Sequence, residues 1–208
     1  MSVTLRHSPD VHPAALSAII KRTGPAPKEE IMKETAMYAR YNQAGNKTIY
    51  DILSAMSNDE REKDRGSYYG SLSSLFRHII GGTRYFLSLF KGSLEGNAGA
   101  LKAISALDGI PFPAEGQLSE AQWKELGGEM EAVDAAYVGM AEALTGADLS
   151  LPVKLDWYGG NPASMSLSFM LSQLLVHNTH HRGQVSQILD SLKIDNDYSG
   201  IAKEFMPN

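Results

Sequence analysis

Apolar residues recur at helical period along four long stretches of this chain, and the last stretch is the most regular. In Leu167–Leu192, LSFMLSQLLVHNTHHRGQVSQILDSL, residues Leu167, Met170, Leu174, Val185, Ile188 and Leu192 carry the pattern. Projected at about 100° per residue they fall in a sector roughly 60° wide. The first stretch, Lys28 to about Ser57, opens on Glu29 and Glu30, which suit a helix N-terminus. Ile31, Thr35, Tyr38, Asn42, Ile49, Ile52, Leu53 and Met56 make up its inward face. A second helix is predicted from Gly70 or Ser71 to Phe90, on the stripe Leu72, Leu75, Ile79, Phe86 and Phe90. The third runs from Ser119 to about Leu144, started by the capping box Ser119-Glu-Ala-Gln122. Trp123, Leu126, Met130, Val133, Tyr137, Met140 and Leu144 form its stripe, with Glu131 and Asp134 read as a solvated face.

The connections differ in character. The charged run Asn58–Arg65 reads as a solvated link. Lys91–Leu118 is rich in Gly and Pro, with room for a short helix at Ala98–Leu107. Leu149–Leu155 alternates weakly before the turn Trp157-Tyr-Gly-Gly-Asn-Pro, which predicts at most a small β-hairpin before the last long helix. Residues 1–27, broken by Pro9, Pro13, Gly24, Pro25 and Pro27, are read as an N-terminal extension, and 28–208 as one domain with a surface-laid tail after Ile194. The sum is an all-α, four-helix bundle.

Composition narrows the partners. The net charge of −5 and the scattered Lys and Arg give no basic stripe for phosphates, which argues against nucleic acid. No apolar run is long enough to cross a bilayer, and no signal-peptide pattern opens the chain, so no membrane role and a cytoplasmic location are expected. There is no cysteine, so a metal must be held by nitrogen and oxygen, and any sulfur chemistry must come from a substrate.

The polar residues on the last stripe are the candidate chemistry. His181 projects into the apolar sector and His177, four residues earlier, about 40° away at its edge. Two imidazoles one turn apart are either core histidines satisfied by neighbouring hydroxyls or carbonyls, or a pair converging on one ion. His180 projects to the flank and is read as lying behind the site; Arg182 and Gln184 either orient a ligand or are solvated. His78, on the second helix, lies roughly 80° off its stripe and alone reads as a surface or interface residue; Gly81 and Gly82 after it allow close approach. His7 and His12, on the N-terminal arm, are read as exposed.

The block His177-Asn-Thr-His-His181-Arg182-Gly183-Gln184 closely resembles the histidine-rich signature of the DinB family. Tyr69-Gly70-Ser71-Leu72-Ser-Ser-Leu75-Phe-Arg-His78 resembles that family's second-helix pattern, and Ala39-Arg40-Tyr41-Asn42 its first helix; the likeness spans roughly Lys28 to Asp197. The resemblance implies up-up-down-down connectivity, a homodimer, and a divalent metal held by His78, His177 and His181. Where many members carry an acidic residue soon after the second-helix histidine, this chain has Thr83.

Three neutral imidazoles leave an open coordination position, which points to ligand exchange rather than a closed structural site. Nitrogen ligands suit zinc, nickel, copper or iron, and affinity order does not single one out; zinc or nickel is the expected ion, with iron and copper as alternatives. The resemblance implies two functions as expectations: a metal-dependent transferase or isomerase using a low-molecular-weight thiol, with hydrolysis as its near variant, or a non-enzymatic metal-binding or stress-response protein. Tyr41, Trp157 and Arg182 are the expected substrate contacts. A metal-free bundle with three satisfied histidines ranks below both.

Overall fold

The architecture comes from a computed structural model, which describes residues 28–112, 115–155 and 163–198, with side chains from Met32 onward. The extension 1–27 with His7 and His12, the turn around Trp157 and the end of the tail lie outside the described residues. Among the described residues, six α-helices run in chain order: α1 (Lys28–Ser54), α2 (Asn58–Glu62), α3 (Leu72–Ser93), α4 (Ala98–Ser105), α5 (Glu120–Ala143) and α6 (Leu167–Ser191). A short 3₁₀ turn at Asp148–Ser150 leads into β1 (Pro152–Leu155), which pairs antiparallel with β2 (Ala163–Ser166). The expected all-α bundle with one small hairpin is therefore what the chain forms.

Three of the long helices, α3, α5 and α6, start where a serine side chain satisfies a first-turn amide. Ser71 accepts from the amide of Ser74, Ser166 from that of Phe169, and Ser119 shares a reciprocal capping box with Gln122. Helix α1 packs chiefly on α5, and α3 on α6, rather than on sequence neighbours. Alternate pairing of this kind is what up-up-down-down connectivity produces. No helix among the described residues is long and apolar enough to cross a membrane.

The core fills the space between these four helices with Ile49, Leu53, Phe76, Ile79, Phe90, Met140, Leu174 and Val185, among others. Tyr50 stacks on Trp123 with ring centroids 5.1 Å apart, and the indole N–H donates to Ser54 Oγ at 2.9 Å. The charged link is only partly solvated: Asp59, Lys63 and Asp64 are exposed, whereas Arg61 and Glu62 are buried. It folds into α2, where Arg61 is only 1% exposed, donates to the Met56 carbonyl and lies over the Trp123 ring. Its guanidinium closes the end of the core, and Glu120 pairs with it at 2.8 Å.

Gly127 lets α5 approach Tyr50: a Cβ there would collide with the Tyr50 ring, reaching 2.8 Å from its Cε2, whereas a Cβ on Gly128 meets nothing within 4 Å. Gly127→Ala is therefore expected to lower stability by about 1–3 kcal/mol, and Gly128→Ala to raise it by up to about 1 kcal/mol through helix propensity. Urea denaturation of the two variants checks this; a gain in both would show that the aromatic stack yields freely.

Candidate metal centre

The aromatic-Gly-Ser start of α3 builds one wall of the site. Gly70 adopts φ +73°, a conformation side chains rarely tolerate, and its amide donates to the Ser67 carbonyl at 2.9 Å. This turn lays Tyr69 against His78, with ring centroids 4.4 Å apart and planes 30° from parallel, and edge-on to His181 at 5.4 Å. Ser71 then caps the helix that carries His78 two turns later.

Helices α3 and α6 bring three imidazoles to one point. His78 Nε2 lies 3.1 Å from His177 Nε2 and 3.2 Å from His181 Nε2. Among the described residues, this is the one group of metal-ligand type whose donor atoms all fall within 4.8 Å of one another. Tetrahedral zinc, with Zn–N bonds of about 2.0–2.1 Å, sets its ligand nitrogens roughly 3.3 Å apart, so the spacing fits an ion of that size. The remaining ring nitrogens of the α6 pair face amide oxygens: His177 Nδ1 is 3.1 Å from Asn178 Oδ1, and His181 Nδ1 is 2.7 Å from Gln184 Oε1. Those contacts place the ring protons on Nδ1 and leave two bare Nε2 acceptors facing His78, whose own Nε2 carries at most one proton. A cation satisfies all three nitrogens; a single proton does not. The donor set therefore fits a divalent ion that accepts nitrogen.

Gly82 makes the approach of His177 feasible. A Cβ on that glycine would stand 2.5 Å from His177 Cε1, while one on Gly81 meets nothing within 4 Å. Of the three rings, His78 lines a cleft of about 520 Å³, together with Tyr69, Arg77, Gly81, Phe112 and exposed Glu115. Phe112 is 60% exposed, yet its ring is held from behind by the Arg84 guanidinium, 4.0 Å from the centroid. Arg84 in turn pairs with buried Glu129 at 2.9 Å and donates to the Pro111 and Ile110 carbonyls. Burial pushes the Glu129 carboxyl up while Arg84 pulls it down.

Behind the cluster lies a buried polar chain that crosses the bundle. Asn178, fully buried, donates from Nδ2 to Asn42 Oδ1 at 2.8 Å and to Thr83 Oγ1 at 2.9 Å. Asn42 and Asn46 both donate to Asp134 Oδ1 at 3.0 Å, and Arg182 Nη1 donates to Asn42 Oδ1 at 2.6 Å. Asp134 is 1% exposed, which corrects its reading as a solvated residue; Glu131 is exposed as expected. Burial pushes the Asp134 carboxyl up to about 7 against the two amides and Arg182, which pull it down. Thr83, where an acidic residue was expected from the family pattern, is fully buried and anchors Asn178.

The weaker expectations separate. His180 is exposed, with its ring 4.9 Å from that of His181. Arg182 is 1% exposed and lies inside the bundle with its guanidinium over Tyr41, 5.1 Å from the ring centroid, so neither side chain is found lining the cleft. Trp157 falls outside the described residues. Sequence reasoning gave Phe112 and Asn178 no role of their own and assigned Asp134 to the solvent. Asn178 and Asp134 carried a signal: each sits four residues after a stripe residue, Leu174 and Met130 respectively.

Burial lowers all three histidine pKa values, His78 to about 4 with its neighbours His181 and His177 adding to the fall. In metal-free protein the unfolded chain therefore takes up protons, from an ordinary value near 6.5 downward, that the folded ring at residue 78 refuses until about pH 4. This contribution destabilises the fold progressively as pH falls through that window. Urea unfolding of metal-free protein at pH 7 and pH 4.5 is expected to show wild type losing more stability than His78→Gln; equal losses would contradict the burial of that ring as a neutral group.

The chain was compared with known proteins at family, sequence and structure level. The family model described as the DinB family matches residues 32–192. Neither the search of curated proteins nor that of solved structures returned a match.

Proposed function

The chain belongs to the DinB family, and from that premise we propose that it is a metal-dependent thiol-transferring protein whose ion is held by His78, His177 and His181. The observation that carries this reading is the meeting of three Nε2 atoms, two of them on rings whose Nδ1 atoms are tied to amide oxygens. Such contacts from the outer nitrogen orient a metal-binding imidazole and raise its basicity. A divalent cation there, which we take as zinc or nickel from a ligand set that also suits iron and copper, would supply Lewis acidity that lowers the pKa of a coordinating thiol or water.

The chain's own residues favour the thiol over water. The gathered ligand group is three imidazoles with no carboxylate, and exposed Glu115, which lines the cleft, lies outside that group, so no carboxylate is held against the ion to activate water. A thiol, with an ordinary pKa near 8.5, needs far less help to ionise and can lose its proton to solvent through the open cleft. With no cysteine in the chain, that sulfur belongs to the substrate. Tyr69 and Phe112 shield two sides of the cleft, and Gly81 leaves its floor clear beside His78. The competing reading, a non-enzymatic metal-binding protein, shares the ion and lacks the transfer.

Elemental analysis of purified protein is expected to give one ion per chain for wild type and at least about a tenfold lower affinity for His177→Ala, His181→Ala and Gly82→Ala. The glycine variant acts by pushing the His177 ring away. Metal-loaded wild type incubated with low-molecular-weight thiols and an electrophile should accelerate sulfur transfer, and His177→Ala should not. Equal metal content in all variants ends the ligand assignment; full metal with no acceleration by any thiol favours the non-enzymatic reading.

A further inference from the structure

We propose that Asp134, on α5, fixes which nitrogen of His177 is free to bind metal, acting through a relay of two buried amides. This rests on the metal reading above and extends it to residues far from the cleft. The relay can be read atom by atom, because each member has only one way to satisfy its neighbours. Thr83 spends its hydroxyl proton on the Ile79 carbonyl at 3.0 Å, so towards Asn178 it can only accept. Arg182 has only donors, and its Nη1 lies 2.6 Å from one end of Asn42, which must therefore be the oxygen. The other end of Asn42, its amino group, meets Asp134 Oδ1 at 3.0 Å.

Asn178 thus faces two acceptors, Thr83 Oγ1 and Asn42 Oδ1, with its amino group. Its oxygen is left for His177 Nδ1 at 3.1 Å. That nitrogen must bring the proton, so Nε2 carries the lone pair and points at His78. Reversing the Asn42 amide would set its amino group against both Arg182 and the Asn178 amino group. Asp134 prevents this by presenting an acceptor to the amino end, and its Oδ1 accepts from both Asn42 and Asn46 whether or not a proton sits on the other oxygen. Placing a carboxyl at 1% exposure among hydrophobic neighbours is costly. Orienting a ligand at the far side of the bundle is what that cost secures. Asp134 is a positioning residue: it touches no reacting atom.

The test reads the tautomer directly. In metal-free protein labelled with ¹⁵N-histidine, wild-type His177 should show the Nδ1–H form. Asp134→Asn keeps an acceptor oxygen facing Asn42 and should retain both that form and the zinc affinity. Asp134→Leu removes the acceptor and should mix the tautomers and raise the zinc Kd about tenfold or more. If Asp134→Leu does not fold, Thr83→Val decides. That variant deletes one of the two acceptors orienting Asn178 and should give a smaller shift in the same direction. A wild-type His177 in the Nε2–H form, or wild-type tautomer and zinc Kd in both Asp134→Leu and Thr83→Val, overturns the relay. Zinc that leaves the His177 ring signals unmoved in wild type sinks the metal reading, while a tautomer shift in Asp134→Leu would still support the relay.

Discussion

Three basic ring nitrogens aimed at one point repel one another unless something positive stands between them, and the architecture around that point is arranged to hold them there. The pairing of α3 with α6 supplies the two backbones. Gly82 removes the side chain that would block His177. Tyr69, set by the positive φ of Gly70, stacks on His78 at the wall of the cleft. Each feature alone has an ordinary explanation in packing. Together they converge on nitrogens whose outer partners have already taken the ring protons.

The core gives up apolar packing to support that point. Asn42, Asn46, Asp134, Asn178 and Arg182 occupy positions that would otherwise hold leucines, and all are nearly or fully buried. Removing one member of such a network leaves the others unpaired, so it is kept whole or lost whole. Two buried nitrogens of Arg182, Nε and Nη2, have no hydrogen-bond partner among the described residues, and the guanidinium lies over the Tyr41 ring. A bundle selected only for stability has little use for this arrangement. A bundle that must hold one imidazole in one tautomer does.

Helix period made the four long helices legible, because each buries a stripe against the others and the stripe is written in residue type. The pair His177 and His181 was legible for the same reason, as polar rings on an apolar face. His78 was not, since its projection off the α3 stripe reflects a site at the rim of the helix pair rather than in its core; only the family resemblance placed it. Asp134 was misread because a carboxylate is usually solvated, and what holds it comes from afar in sequence: hydrogen bonds from Asn42 and Asn46 on α1 and the charge of Arg182 on α6. Arg61 was misread likewise: nothing in the run NDEREKDR reveals that its guanidinium will cover Trp123. Long-range pairing of polar groups is what a one-dimensional pattern cannot display.

The most direct measurement is a crystal structure of the zinc-loaded protein with anomalous data collected across the zinc edge. The account predicts a single strong peak at bonding distance, about 2.0–2.1 Å, from Nε2 of His78, His177 and His181, with a further ligand or water on the cleft side. A peak bound through Nδ1, a peak elsewhere in the bundle, or no peak at the three rings would contradict it.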